Sequence, residues 1–262
     1  MFKSCLKIVL ILLIALILAG CATTQDSVPA ANLLRIGITP DYPPIIFRQG
    51  GNITGVEADM ARMLGEELKR PVNFVILRWD EQISALLNEK IDIIMSGMSI
   101  TKTREVRIRF TDYYLKSGLL AAMRTEDAKK YISLDSILQS SSAVGAVKDT
   151  TGDAFVQKNF PHALRKAGLS KANDGAVELK RRTIDIFIHD APSMIWVVSE
   201  NEADITALWE PFNEEYFAWA IRKDDDQFFK QVNDILKRWK QDGTLRQVLN
   251  KWLPAQYMKR YD

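Results

Sequence analysis

Short apolar runs alternate with amphipathic stretches from residue 33 onward, and this alternation constrains the fold more than any other feature of the chain. The first run, 33–39, suits a strand and ends in the turn sequence PDYPP at 40–44. The next stretch, 57–70, carries its methionines and leucines at helical spacing. Strands that alternate with helices favour a sheet with right-handed crossovers. The sequence therefore predicts an α/β fold.

The same alternation predicts the order of the elements and a division into two lobes. The expected strands are 33–39, 72–77, 91–96, 118–123, 143–147, 184–188 and 216–222, and the expected helices are 57–70, 81–89, 134–138, 150–159, 176–182, 192–200, 224–241 and 245–252. The chain is expected to cross between the lobes near 123–126 and near 216–222. We therefore expect a first lobe of residues 33–123 and 217–262 and an inserted second lobe of residues 124–216. A cleft between such lobes commonly binds a ligand and closes about a hinge.

The N-terminal segment carries export signals rather than fold signals. A basic start at 1–7 precedes an aliphatic run at 8–19, which is shorter than the roughly 20 residues needed to cross a bilayer. The run ends in LAGC at 18–21, which resembles the acylation site of bacterial lipoproteins. This resemblance implies a signal peptide at 1–20, a lipid anchor on Cys21 and a polar tether at 21–32. An ordinary signal peptide with an incidental cysteine is the alternative.

Composition argues against several classes of function. The 262 residues have a formal net charge of +2, with basic and acidic side chains interspersed, so no nucleic-acid partner is expected. The two cysteines, Cys5 and Cys21, both precede the predicted fold. The fold itself therefore has no thiol for a disulfide, a nucleophile or a cysteine-ligated zinc site, and we expect neither a metal nor a cofactor.

Polar residues follow several predicted strands, at the edge where open α/β sheets bind their ligands. Arg104 follows the strand at 91–96 and can hold a carboxylate through two parallel hydrogen bonds. Thr150 and Thr151 open a helix whose free N–H groups favour an anion. Asp190 offers a carboxylate to an ammonium group. Together these residues suit a zwitterion.

The same residues also have ordinary structural explanations. An arginine early in a helix is often solvated or paired with a neighbour such as Glu105, and a threonine or aspartate at a helix start is often a cap. Ser99 could add a hydroxyl to the ligand site, and Tyr42 and Trp79 could form its apolar walls. The residue types alone leave both interpretations open.

Motifs spread over nearly the whole chain after residue 32 carry a resemblance to a known family. They are IG at 36–37, YPP at 42–44, GVEADMA at 55–61, IDIIMSGMSIT at 91–101 with Arg104, FTDYY at 110–114, VGAVKDTT at 144–151, IDIFIHD at 184–190, DGTL at 242–245 and KW at 251–252. In this order and spacing the chain resembles the bacterial extracellular solute-binding proteins of family 3, the substrate-binding proteins of polar amino-acid ABC transporters. The resemblance implies a type II periplasmic-binding fold, with two α/β lobes joined by a two-strand hinge around a ligand cleft.

The resemblance also implies roles for single residues. In the family, the arginine that matches Arg104 grips the ligand α-carboxylate, and the partner of the α-ammonium matches Asp190. Ser99 matches the serine or threonine near that arginine, and Thr150 and Thr151 match the threonine pair that opens the second lobe. The full set of expected ligand-binding residues is Tyr42, Trp79, Ser96, Gly97, Met98, Ser99, Arg104, Thr150, Thr151 and Asp190.

The implied function is capture of an amino acid or a related small zwitterion, which is then delivered to an ABC transporter permease. The protein is expected to be a monomeric lipoprotein of the periplasm or cell surface, anchored through Cys21, and not an enzyme. Three places depart from the family pattern, and one of them, RRT at 181–183 in place of a glycine turn, has no clear functional consequence. Asp149 replaces a common glycine, and Thr39 stands where binders of basic amino acids often carry an acid, which weakens a lysine or arginine assignment.

Two other functions are alternatives. Cyclohexadienyl dehydratases are exported enzymes of the same fold that use a glutamate shortly after the aspartate matching Asp190. Here Ser193 stands in that stretch, and a serine cannot donate a proton near neutral pH. The second alternative is a sensor that reports ligand binding to a membrane partner.

Overall fold

The computed structural model describes residues 32–261, and the residues from Leu34 onward form one compact unit. The predicted signal peptide, the predicted acylation of Cys21 and the tether up to residue 31 lie outside the described residues. Among residues 32–261, no helix combines the length and the apolar character that a membrane crossing requires.

Strands and helices alternate through the described chain. The strands are β1 Leu34–Ile38, β2 Asp41–Tyr42, β3 Ile46–Gln49, β4 Asn52–Thr54, β5 Val72–Ile76, β6 Ile93–Ile94, β7 Arg109–Phe110, β8 Leu115–Ser117, β9 Leu119–Arg124, β10 Ala143–Val147, β11 Arg165–Leu169, β12 Ile186–Asp190, β13 Ile205–Leu208, β14 Glu215–Phe217 and β15 Ala220–Ile221. The α-helices are α1 Val56–Glu67, α2 Gln82–Leu87, α3 Lys102–Glu105, α4 Leu134–Leu138, α5 Thr151–Asn159, α6 Ala172–Lys180, α7 Ala191–Ser199, α8 Asp226–Gln241, α9 Thr244–Trp252 and α10 Ala255–Tyr261. Trp79–Glu81 and Thr125–Lys130 form 3₁₀ segments.

The first lobe is built on a five-stranded sheet with the order β5-β1-β6-β15-β7. β1 runs parallel to β5 and β6, whereas β15 is antiparallel to β6 and β7. Leu34, Ile36 and Ile38 of β1 are fully buried, and they share one core with Met60 and Leu64 of α1. Because the last two lie one helical turn apart, they present a continuous apolar stripe to that core.

The second lobe is built on a sheet with the order β11-β10-β12-β9-β13. β10 is parallel to β11 and β12, and β9 is antiparallel to β12 and β13. Every residue of β10 and β12 is buried, as in central strands that are covered on both faces. The α/β prediction is therefore confirmed, with two sheets in two lobes.

Two antiparallel strands connect the lobes. β8 pairs with β14, and Leu115 lies opposite Phe217. The next strand, β9, already belongs to the second sheet, where it pairs with β12 and β13. The predicted boundary between residues 123 and 124 therefore lies after a strand of the second sheet rather than before it. The apolar run at 118–123 predicts a strand but not its partners, because pairing depends on residues distant in sequence.

Several other elements differ from the sequence prediction. The strand expected at 91–96 is reduced to β6, because the chain leaves the sheet there to form the turn around Gly97. The strand expected at 216–222 is split into β14 and β15. Between them, the Ala218 N–H donates to the carbonyl oxygen of Met98 at 3.1 Å instead of to a sheet neighbour. The small β2-β3-β4 sheet and the strands β11 and β13 were not predicted.

Candidate functional site

A cavity of about 480 Å³ lies between the lobes, at the carboxyl ends of the central strands. Nine of the ten residues predicted from the sequence line it, namely Tyr42, Trp79, Ser96, Gly97, Ser99, Arg104, Thr150, Thr151 and Asp190. The first six belong to the first lobe and the last three to the second. The fold thus brings together residues that are up to 148 positions apart, such as Tyr42 and Asp190.

Met98 is the exception, because its side chain does not line the cavity. Its side chain is 1% exposed and packs in a core cluster that contains Ile94, Ile108 and Ala220. The sequence placed it in the site because it lies between two residues that do face the cavity. The turn at Gly97 directs its side chain into the lobe instead.

Gly97 forms the turn that leads from β6 into the site. Its φ of 66° lies in the left-handed region, and an added Cβ would lie 2.4 Å from the ring of Tyr42. The Gly97 N–H donates to Glu57 Oε2 at 2.6 Å. Burial raises the pKa of Glu57 to about 8, against the lowering influence of the Gly97 N–H and the Tyr114 hydroxyl. Near pH 7, therefore, the Glu57 carboxyl group that accepts the Gly97 N–H is largely neutral.

Arg104 lies in the short helix α3 and lines the cavity. The Thr101 side chain caps this helix by accepting the Arg104 N–H at 3.2 Å, and Arg104 Nη1 donates to the Ser99 carbonyl at 2.9 Å. Its guanidinium carbon lies 5.2 Å from the centre of the Trp79 ring, within the range of a cation–π contact. Burial lowers the pKa of Arg104, whereas the charges of Asp190 and Glu215 raise it. A guanidinium stays charged in such a place.

Asp190 ends β12 and stands at the start of α7, on the opposite lobe. Its Oδ2 accepts the Tyr42 hydroxyl at 2.9 Å and lies 3.2 Å from His189 Nδ1. Burial opposes ionisation of Asp190, but the hydrogen bonds and charge of His189 and the Tyr42 hydroxyl lower its pKa overall. Its other oxygen, Oδ1, is buried and has no hydrogen-bond partner among the described residues. The Tyr42 and His189 rings stack at 5.3 Å.

The two threonines start helix α5 at the second side of the cavity. Thr150 is the cap, because its Oγ1 accepts the Asp153 N–H at 3.2 Å and donates to the Val147 carbonyl at 2.6 Å. Thr151 Oγ1 donates to Glu215 Oε2 at 2.9 Å. The first N–H groups of a helix have no partner within it and carry the positive end of its dipole, so this edge favours an anion.

Residues 34–255 match the family described as bacterial extracellular solute-binding proteins, family 3. The chain belongs to this family. The solute-binding protein is 23% identical over 238 residues to the L-cystine-binding protein TcyJ of Escherichia coli (strain K12), covering 89% of this chain and 87% of that one. It is 26% identical over 246 residues to the putative ABC transporter arginine-binding protein 2 of the same organism, covering 92% and 97%.

A solved structure gives the fold of this solute-binding protein independently. The ancestral amino acid-binding protein AncCDT-1, a precursor of cyclohexadienyl dehydratase, matches with a TM-score of 0.80 at 29% identity, over 86% of this chain and 96% of that one. The type II periplasmic-binding fold implied by the sequence is therefore confirmed.

Sequence reasoning missed Glu215 of the solute-binding protein, which lies on β14 beside the site. This carboxyl group is buried, and its Oε2 accepts the hydroxyls of Ser99 at 2.6 Å and Thr151 at 2.9 Å. Its Oε1 accepts the Asn213 amide at 3.1 Å. Burial and the charge of Asp190 raise the pKa of Glu215 to about 7. In the sequence it follows another glutamate in a polar stretch, so nothing local indicates that it is buried.

Asp41 and His189 also line the cavity, although neither is among the ten expected ligand-binding residues. His189 precedes Asp190 and is 4% exposed, and Asp41 lies half-buried within β2. Burial raises the pKa of Asp41, and the nearby charge of Lys171 partly offsets this. The sequence signal for Asp41 was its place directly after the first strand, one residue before the predicted Tyr42.

Proposed function

We propose that this solute-binding protein captures an amino acid, or a related small zwitterion, in the cleft between its lobes. The supporting observation is that one cavity holds a guanidinium and a carboxylate whose binding capacity is only partly used. Within residues 32–261, Arg104 has no carboxylate in an ion pair with it, and Asp190 Oδ1 has no hydrogen-bond partner. A ligand carboxylate on Arg104 and a ligand ammonium on Asp190 would supply both partners.

The remaining residues suit the same ligand ends. Thr150 and Thr151 stand at the N-terminus of α5. The free N–H groups of that terminus would bind the same ligand carboxylate as Arg104. Tyr42 and Trp79 supply the apolar walls, and in the closed arrangement each donates a hydrogen bond to the second lobe. Both rings are therefore held in place once the lobes have closed.

The ligand side chain would point toward a polar part of the cavity. Thr39 stands where binders of basic amino acids often carry an acid. Its hydroxyl accepts a hydrogen bond from the Gln82 amide and donates one to the Leu77 carbonyl. Asp41, two residues further on, supplies a carboxylate instead, and Lys171 lies near it. We infer a polar amino-acid side chain. The volume of about 480 Å³ is in the range of small-molecule sites.

The family places such proteins outside the cytoplasm, and relatives are named as ABC transporter components. We propose that the partner is an ABC transporter permease, that the anchor is a lipid on Cys21 and that the protein works as a monomer. We also propose that β8 and β14 form the hinge, with residues 34–117 and 217–261 in the first lobe and the intervening segment in the second.

Binding without catalysis fits the chain better than the dehydratase alternative. Ser193 stands where an acid would be needed, is fully buried in α7 and is not part of the cavity lining. Its hydroxyl cannot act as a general acid near neutral pH. Incubation of the purified protein with prephenate or arogenate is expected to give no product, and turnover would contradict this part of the proposal.

A thermal-shift screen with the twenty common amino acids and L-cystine tests the main proposal. At least one of them should raise the melting temperature, since a ligand that binds only the folded state stabilises it. Arg104→Ala should weaken that binding by about 2–5 kcal/mol in calorimetry, because the ligand carboxylate would be left without its partner. Arg107→Ala is the matched control, as this nearby arginine is exposed. If no amino acid shifts the melting temperature, the assignment is wrong.

A further inference from the structure

We propose that Glu215 couples closure of the lobes to the arrival of a positive charge, by tying Ser99 of the first lobe to Thr151 of the second beside the carboxylate of Asp190. This inference rests on the proposed function, because the arriving charge is the ligand ammonium. Glu215 is not part of the cavity lining. It is therefore a positioning residue, which acts through the two hydroxyls and through its charge.

The geometry of Glu215 is that of a bridge. One carboxylate oxygen accepts two hydroxyl groups, from Ser99 at 2.6 Å and from Thr151 at 2.9 Å, and these belong to opposite sides of the cleft. The residue itself lies on β14, one of the two strands that connect the lobes, where it pairs with Ser117. Because opening of the cleft moves Ser99 and Thr151 apart, this bridge is complete only when the lobes are closed.

The charges around Glu215 determine when the bridge is stable. Asp190 faces it from the end of β12, Arg104 from α3, and the Tyr42 hydroxyl from β2, while His189 acts on it through Asp190. Two buried carboxylates beside one guanidinium repel each other unless one of them is neutralised. Asp190 Oδ1 has no partner while both carboxyl groups are ionised, and a protonated Glu215 can donate a hydrogen bond to Asp190, which lowers the pKa of Asp190.

A proton or an ammonium can provide that neutralisation. Burial and the charge of Asp190 raise the pKa of Glu215 to about 7 in this closed arrangement, from about 4.5 for an ordinary glutamate. The closed form therefore binds a proton more tightly than an open, hydrated form. In the absence of ligand, closure should become less favourable as the pH rises from about 4.5 to 7, by up to tenfold per pH unit. The ligand ammonium then replaces the proton.

This arrangement has a consequence for transport. At neutral pH and above, the ligand-free cleft would tend to stay open, because both carboxylates are ionised. A zwitterion brings its ammonium to the pair and makes the closed bridge stable. A closed protein would then signal an occupied cleft, which is what a transporter partner must recognise.

Distance measurements between spin labels in the ligand-free chain test the coupling directly. Cysteines replace Glu66 on α1 and Lys158 on α5, both exposed, and Cys5 and Cys21 become serine in the full chain. We expect wild-type Glu215 to give mainly short distances at pH 5.5 and longer ones at pH 8.5. Glu215→Gln, which mimics the neutral form, should give short distances at both pH values. Glu215→Ala should give longer distances at both.

The matched control is Glu214→Gln, which alters the adjacent but exposed glutamate that accepts the Tyr216 hydroxyl. It should reproduce the wild-type distances and their pH dependence. If Glu215→Ala does not fold, Thr151→Val replaces it, since this change removes one arm of the bridge and keeps the side-chain shape. Distances that do not change with pH in the wild type, or change equally in Glu215→Gln, would overturn the coupling.

Distance measurements with added ligand distinguish this inference from the proposed function. L-Arginine, L-histidine, L-glutamine and L-cystine are added separately at pH 8.5 to the labelled wild type. A ligand that restores short distances supports both proposals. Distances that depend on pH but not on any of these amino acids would contradict the ligand-triggered closure and leave the proton-dependent bridge standing. Binding in calorimetry without any pH-dependent distance would contradict the role of Glu215 alone.

Discussion

The indole N–H of Trp79 in the first lobe donates to the backbone carbonyl oxygen of Asp149 in the second, across 2.9 Å. The same indole ring faces the Arg104 guanidinium at 5.2 Å. Trp79 therefore contacts the opposite lobe and a charge of the candidate site at once. Asp149 has a φ of 60°, in the left-handed region where aspartate is tolerated better than most residues other than glycine. Glycine adopts the same backbone conformation without strain.

Trp79→Phe should weaken ligand binding by about 0.5–1.5 kcal/mol, the usual contribution of one hydrogen bond. The ligand is the amino acid that gives the largest thermal shift. The phenyl ring keeps most of the stacking surface for Arg104 but cannot donate to Asp149. Calorimetry at constant pH measures the change. Trp209→Phe is the control, because this tryptophan is exposed and does not line the cavity. Equal affinity in Trp79→Phe and the wild type would show that the contact between lobes does not contribute.

The sequence predicted which residues line the cavity better than it predicted the connections between elements. Arg104, Thr150 and Asp190 could be found because they follow strands, and the ends of parallel strands meet at one edge of a sheet. β9 pairs within the second sheet although it was expected in the first lobe, since its apolar run is compatible with either sheet. Glu215 could not be found, since its burial arises from residues more than 60 positions away on either lobe. Patterns within a window of the sequence do not contain such contacts.

Stability should fall as the pH rises through the range set by Glu57. Its carboxyl group is fully buried, and burial raises its pKa to about 8 from 4.5. The folded chain thus holds this proton more tightly than the unfolded chain does. The favourable contribution is complete below about pH 4.5 and is lost toward pH 8, at no more than about 1.4 kcal/mol per pH unit.

Glu57→Gln removes this titration while keeping an oxygen to accept the Gly97 N–H. Urea unfolding at pH 5, 6, 7 and 8 should show a smaller loss of stability with pH than in the wild type, and a more stable variant at pH 8 by more than about 1 kcal/mol. Some slope remains, because Glu215 also titrates near 7. Glu66→Gln, on an exposed position of the same helix, should leave the wild-type slope unchanged. An unaltered slope in Glu57→Gln would mean that Glu57 is ionised in the fold.

Arg104→Lys should lower ligand affinity at least tenfold, or about 1.4 kcal/mol, although the charge is preserved. A lysine ammonium cannot form two parallel hydrogen bonds with a carboxylate, and it cannot reach the Ser99 carbonyl in the same way. Calorimetry measures the affinity, and the ligand-free melting temperature shows whether the fold is intact. Arg107→Lys serves as the exposed control. Full affinity in Arg104→Lys would indicate that the arginine contributes charge alone.

Met98 offers a test of the corrected site. Met98→Leu keeps the volume of a side chain that is 1% exposed in the core, so it should cost less than about 1.5 kcal/mol of stability and leave ligand affinity unchanged. Met98→Ala should cost about 2–5 kcal/mol, because it leaves a cavity in that core. Urea unfolding and calorimetry distinguish the two effects. A large loss of affinity in Met98→Leu, at normal stability, would return Met98 to the ligand site.

Gly97→Ala should reduce both stability and ligand affinity, since the added Cβ brings both backbone strain and a steric clash. The residue has a φ of 66°, which a side chain adopts at a cost of about 1 kcal/mol, and its new Cβ would lie 2.4 Å from the Tyr42 ring. That ring would have to move, and with it the hydroxyl that donates to Asp190 at 2.9 Å. Gly50→Ala is the matched control, as its φ of 57° is similar but nothing lies within 4 Å of its Cβ. The control should lose some stability but no affinity. If both variants lose affinity equally, backbone strain rather than displacement of Tyr42 is the cause.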